Sequence, residues 1–133
     1  MPIEVINNPE LNAPVGRFSQ AVKCDAAGQF LFVSGLTSRA PDGSLVGDGD
    51  IELQTVTILE NMTKLVEHAG GKLSDVVKVT VYVTDMRYFD KVQEVRGRYF
   101  HPPLPSSAMI EVSKFATPGM LIEIDAIAAI GQS

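Results

Sequence analysis

The chain is short of the residues that mark several function classes. It has one cysteine, Cys24, which excludes an internal disulfide. It has two histidines, His68 and His101. One falls on a predicted first helix and the other at the end of a second, without the spacing of a metal site, so neither a metal nor a cofactor is expected. No run approaches the roughly 18–20 apolar residues of a membrane helix. The start, Met1-Pro2-Ile3-Glu4, has no basic region leading into an apolar stretch, so no signal peptide is evident. Positive charge is also scarce: 11 Lys and Arg stand against 16 Asp and Glu, a net charge of −5. A phosphate-binding surface needs clustered Lys and Arg. Here the densest group, Arg87, Lys91, Arg96 and Arg98, is spread by helical spacing around an exposed helix side. No internal repeat of about 20–50 residues is visible. These absences suggest a cytoplasmic protein that binds neither nucleic acid nor membrane.

What is present suits a compact domain. The chain has 133 residues, 45% hydrophobic and 20% charged, so a single domain over residues 1–133 is the default. Ile3–Ile6 is a short strand candidate. Residues 7–17, with Pro9, Pro14 and Gly16, read as an extended loop. Ala21–Cys24 and Gln29–Gly35 are apolar runs separated by Asp25-Ala26-Ala27-Gly28, which suggests a hairpin. Residues 38–49 form a turn-rich loop. Asp50 is a candidate N-cap for a helix in which Ile51, Thr55, Ile58, Leu59, Met62, Leu65, Val66 and Ala69 recur at amphipathic spacing. Gly70-Gly71 stops it. Val76–Val83 alternates as a strand does. Asp85 is a candidate cap for a second helix, with Phe89, Val92, Val95, Tyr99 and Phe100 inward and His101-Pro102-Pro103 ending it. The order predicts an α+β fold with both helices on one face of a mixed sheet.

The last third carries the chemistry. Apolar-alternating runs, Ala108–Val112 and Leu121–Ile130, flank a Thr117-Pro118-Gly119 turn. Strand side chains alternate, so Leu121, Glu123, Asp125 and Ile127 share one face and Ile122, Ile124, Ala126 and Ala128 the other. Two carboxylates on an otherwise apolar face are costly unless that face meets water, a partner or a substrate. A solvated sheet face and a functional site are both open at this point.

This stretch resembles the end of the Rid proteins, the reactive intermediate deaminases or YjgF-like family. Their C-terminal strands read Pro-Ala-Arg-Ser-x-x-Glu-Val, then a turn, then Ile-Glu-Ile-Glu-Ala-Ile-Ala. Pro105, Glu111 and Val112 match the first pattern. Ile122-Glu123-Ile124-Asp125-Ala126-Ile127-Ala128 nearly matches the second. Gly16-Arg17-Phe18 with Gln20-Ala21 is similar to the family's Gly-Pro-Tyr opening, and Phe32-Val33-Ser34-Gly35 to its hydrophobic-Ser-Gly motif. The likeness continues from Asn61-Met62 through Ala69-Gly70-Gly71 to Val77-Lys78, and then through Val81-Tyr82-Val83-Thr84-Asp85 and Tyr99-Phe100. Each piece is weakly specific, and their order and spacing together are strong.

The resemblance implies a chorismate-mutase-like fold, a mixed six-stranded sheet and a homotrimer whose three sheets form a central barrel, with ligand clefts between subunits. It implies that Glu123 orients a water or moves a proton during hydrolysis of an imine. It places Phe18, Ser34, Gly35, Ser107 and Met109 along the cleft, although Gly35 also fits a structural bulge. Counting back from Glu111-Val112, the family arginine that grips a substrate carboxylate falls on Ser107, which offers a hydroxyl and no charge. The family tyrosine becomes Phe18. In the family's Val-Asn-x-x-Tyr, Asn becomes Gln93 and Tyr becomes Arg96. Arg17 and Arg39 are the candidate replacement cations. No histidine is placed to activate Ser107 as a nucleophile. Two functions follow: a hydrolase or deaminase of an imine, enamine or amide, poor on 2-imino acids, or a non-catalytic binding protein on the same trimeric scaffold. The expected partners are a small-molecule substrate and two further copies of the chain.

Overall fold

The computed structural model describes residues 3–25 and 28–131. The elements are β1 (Ile3–Ile6), β2 (Ala21–Cys24), β3 (Gln29–Leu36), α1 (Ile51–His68), β4 (Val76–Val83), α2 (Phe89–Tyr99), β5 (Ser106–Glu111) and β6 (Ile122–Ile130). The predicted six strands and two helices are therefore present, with bounds shifted by a residue or two. Asp85 caps a short 3-10 turn, Met86–Tyr88, and α2 begins directly after it.

The strands do not form one six-stranded sheet. They form a two-stranded sheet, β1-β2, and a four-stranded sheet in the order β3-β6-β4-β5. β6 runs antiparallel to both β3 and β4, and β5 runs parallel to β4. The expected hairpin between the second and third strands is likewise corrected. β2 pairs with β1, and β3 pairs with β6. Two residues of the proposed turn, 26 and 27, lie outside the described residues.

One face of the larger sheet carries the core. Val79, Val81 and Val83 of β4 and Ile122, Ile124, Ala126 and Ala128 of β6 are buried against Ile58, Leu59, Met62 and Val66 of α1 and Val92 and Val95 of α2. The period-2 pattern of the strands and the 3–4 period of the helices thus meet as the sequence predicts. Asp50 caps α1, its carboxylate accepting from the Leu53 amide at 3.0 Å. Gly70, at φ +94°, ends the helix where a side chain would be strained.

Gln54 sits at the first turn of α1 and is fully buried. Its amide nitrogen donates to the carbonyls of Gly47, at 2.8 Å, and Gly119, at 2.7 Å. Its amide oxygen accepts from the Leu121 amide at 2.9 Å. One side chain therefore ties the loop before α1 to the turn that launches β6.

Candidate functional site

The opposite face of the larger sheet displays Lys78, Thr80 and Tyr82 from β4, Glu123, Asp125 and Ile127 from β6, and Ser106, Ala108 and Ile110 from β5. Cross-strand register aligns Tyr82 with Glu123, Thr80 with Asp125, and Tyr82 with Ile110. The carboxylate pair that alternation predicts is therefore on the helix-free side. Tyr82 joins it, its hydroxyl donating to Asp125 Oδ2 at 3.2 Å. The Asp125 charge, partial desolvation and the Glu123 charge raise the Tyr82 pKa above its usual 10, since each disfavours a second negative charge. The alternation of β4 places Tyr82 on this face, but its partner depends on register with β6.

Gly35 lies at a register shift between Val33 and Leu36. A Cβ built there would overlap the Glu123 carboxylate, 2.7 Å from its Cδ. The structural bulge expected as one reading of Gly35 is present, and Gly35 also meets Glu123 there. Glu123 leans across the strand at the one residue that leaves room. Among the described residues no donor bonds its carboxylate. Ser34 is exposed beside it.

A second group forms at the other edge of the sheet. The Ser19 amide donates to the Pro105 carbonyl at 2.9 Å, and Ser19 Oγ to the Leu104 carbonyl at 2.6 Å. The Arg17 amide donates to Gln93 Oε1 at 2.6 Å, and Arg17 Nη2 to the Phe100 carbonyl at 2.9 Å. Arg96 Nη2 donates to the Arg17 carbonyl at 3.2 Å. Residues 17–19 are thus clasped to the end of α2 and the start of β5, with Phe18 half-buried between them. Gly16 lies against Gln93, where a Cβ would come 2.8 Å from Oε1.

Arg96 corrects the expectation of a solvated helix face. It is 1% exposed, and burial, then the Arg17 charge, lowers its pKa to about 10. Neither arginine forms a salt bridge with a carboxylate among the described residues, and the Nε of each is buried without a partner. Composition hides this position, because arginine on an exposed-looking helix is the ordinary case and the covering segment is some 80 residues distant in sequence.

The remaining predicted residues fall elsewhere. Ser107 aligns with Val79 and Met109 with Val81, so both point to the helix side of β5. Met109 packs against the core. Arg39 is exposed and braces its own loop, donating to Thr37 Oγ1, the Gly43 carbonyl and Thr117 Oγ1. The structure thus brings Ser34, Gly35 and Glu123 together, sets Arg17 and Phe18 with β5, and leaves Arg39 apart.

The strand order and this two-sided arrangement accompany a clear kinship. The endoribonuclease L-PSP family model matches residues 9–130. The chain belongs to this family, within the Rid or YjgF-like superfamily. A RutC family protein of Pyrococcus horikoshii is 43% identical over 125 residues, which cover 94% of this chain and 96% of that protein. The chloroplastic Reactive Intermediate Deaminase A of Arabidopsis thaliana is 31% identical over 96% of this chain and 66% of its own length. Among solved structures, the Rid family protein YyfB of Yersinia pestis superposes with a TM-score of 0.89 at 29% identity, covering 98% of this chain and all of that one. Membership of the Rid superfamily sets the mixed α+β architecture. Among the described residues no helix is long and apolar enough to cross a membrane.

Proposed function

We propose that this protein hydrolyses a carbon–nitrogen bond in a small imine, enamine or amide, at a cleft between copies of a homotrimer. The observation that carries this reading is the position of Glu123. Its carboxylate is half-buried, leans over Gly35 and accepts no hydrogen bond from a donor among the described residues. A carboxylate so placed is available to a water or a substrate nitrogen. For an imine, the water oxygen adds to the C=N carbon while Glu123 accepts its proton. That proton passes to nitrogen, giving a carbinolamine; the proton of its hydroxyl then moves to nitrogen as well, the C–N bond breaks, and ammonia leaves as the carbonyl forms. The name of the Arabidopsis relative, a reactive intermediate deaminase, supports this class of chemistry.

The case for a shared cleft is geometric. β3 and β5 are the two edges of the larger sheet, about 14 Å apart at the usual strand spacing. Gly35 lies on the β3 edge with Glu123 beside it on β6, and Ser107 lies on the β5 edge, to whose start residues 17–19 are clasped. The helix-free face carries uncovered apolar side chains beside its polar ones, with Phe30 47%, Phe32 72% and Ile110 44% exposed. Burying such a face favours self-association.

Substrate choice is narrowed by Ser107. It has no guanidinium with which to grip a carboxylate, and loss of such a buried pair costs roughly 3–5 kcal/mol. Efficient turnover of 2-imino acids is therefore not expected. That loss, together with Phe18 lacking a hydroxyl, favours the second reading, a non-catalytic binding protein on the same scaffold. Screening purified protein for ammonia release from a panel of imines, enamines and amides decides between them. Release above the uncatalysed rate supports the hydrolase, and none across the panel supports the binder. Sedimentation at micromolar concentration checks the trimer.

A further inference from the structure

Two arginines meet at the end of α2 without a counter-charge. Arg96 is 1% exposed and Arg17 is half-buried. Among the described residues each guanidinium donates one hydrogen bond, through Nη2: Arg17 to the Phe100 carbonyl and Arg96 to the Arg17 carbonyl. A guanidinium offers further N–H donors in a planar fork. The Nε of each is buried with no acceptor, a costly state for a charged donor. The exposed cations nearby behave in the opposite way. Arg98 and Lys91 both reach Glu52 and Glu94, and Arg87 reaches Asp85. Acids are in excess, 16 against 11 Lys and Arg. Yet among the described residues none pairs with the two cations for which burial makes pairing matter most.

We propose that Arg17 and Arg96 together bind a small oxyanion, a phosphate or a carboxylate. The site lies within one chain. It is separate from Glu123, on the helix-free face of the sheet, and does not depend on the role of that residue.

The helix end alone does not supply the missing charge. Phe100 is the C-cap of α2, and a helix C-terminus carries about half a negative charge. Two full positive charges stand against it. They also disfavour each other: burial, then the Arg17 charge, lowers the Arg96 pKa to about 10. An anion beside the pair relieves both penalties at once. The guanidinium fork matches two oxygens of a phosphate or carboxylate, which sets the chemical class of the ligand.

The local sequence holds the pair in place. The Arg17 amide donates to Gln93 Oε1 at 2.6 Å, which fixes the backbone from which its side chain starts. Gly97 lies within α2 under that side chain, and a Cβ there would stand 3.4 Å from Arg17 Nε. Anything longer than alanine would push the guanidinium off the helix. Glycine weakens a helix interior; here it leaves the space in which Arg17 lies. Arg96 is covered and Arg17 reaches solvent, so the oxyanion enters on the Arg17 side.

The test is titration with inorganic phosphate, and separately with propionate, at an ionic strength held constant with chloride. Nitrogen-15 NMR follows the Nε–H signals of Arg17 and Arg96. Both should shift together and saturate in the millimolar range. The anion that saturates at the lower concentration shows which of the two the site takes. At a tenfold excess over Kd the melting temperature should rise by about 3–6 °C over chloride. Arg17→Lys keeps the charge and loses the fork, and should weaken binding roughly tenfold or more. Arg96→Gln should abolish the anion-dependent rise without lowering the melting temperature in chloride, because it removes an uncompensated charge. Nε–H signals unmoved by both anions would overturn the proposal. So would an Arg96→Gln melting temperature that falls equally in chloride and phosphate, which assigns the arginine to the helix end alone. Should Arg96→Gln fail to fold, the wild-type titration and Arg17→Lys decide.

Discussion

The Glu123 side chain occupies the space that a Cβ at Gly35 would fill. The bulge in β3 therefore sets the position of the carboxylate on β6, and the two residues act as one unit.

Gly35→Ala should consequently displace the carboxylate without unfolding the chain, because the nearest atoms are the far end of a flexible side chain. Misplacing a reacting group by about 1 Å can cost 10²-fold. Turnover of a confirmed substrate should fall at least tenfold, while the melting temperature moves by only a few degrees. A variant with unchanged turnover would show that the position of Glu123 does not matter.

Glu123→Gln should keep assembly and ligand binding but lower turnover by roughly 100-fold or more, the scale of losing a general acid or base. Asp125→Asn is the control, since Asp125 is engaged by Tyr82. Equal losses at both positions would indicate a coupled carboxylate pair.

Wild-type protein should accelerate 2-iminopropionate hydrolysis little. Ser107→Arg should raise that rate by restoring a guanidinium for the carboxylate. Steady-state ammonia release from the two proteins measures this. Strong wild-type activity would instead assign the carboxylate to another cation, with Arg17 tested first.

Tyr82 should titrate above 10 in an ultraviolet pH titration, and Asp125→Asn should lower its midpoint. The sign for stability follows from the raised pKa. The hydrogen-bonded phenol contributes fully below its unfolded value of about 10, and the contribution is lost as pH rises through the folded value. Asp125→Asn should flatten this alkaline loss in a thermal-melt series.

Much of this fold was legible in the sequence because its signals are local. Asp50 and Gly70 bracket α1, and the alternation in β6 put Glu123 and Asp125 on one face without knowledge of any neighbour. The partition into two sheets was not legible. β2 has only four residues, too few for its pattern to choose between β1 and β3. Arg96 was misread for a related reason: its cover comes from residue 17, and no local pattern announces a contact so distant in sequence. The same limit hid the Tyr82–Asp125 bond, whereas the family likeness supplied Gly35 and Glu123 but not the contact between them.

The separation of Glu123, on β6 beside the β3 edge, from Arg17, held against the end of α2, has a genetic meaning. If each site draws on two chains, a damaged copy does not simply lose its own activity. A Glu123→Gln chain co-assembled with an Arg17→Ala chain should regain some whole sites, so that two inactive alleles expressed together complement each other. Conversely, an inactive chain in excess should silence good ones by taking one wall of their clefts. Selection on such a protein acts on pairs of neighbours and not on the single polypeptide.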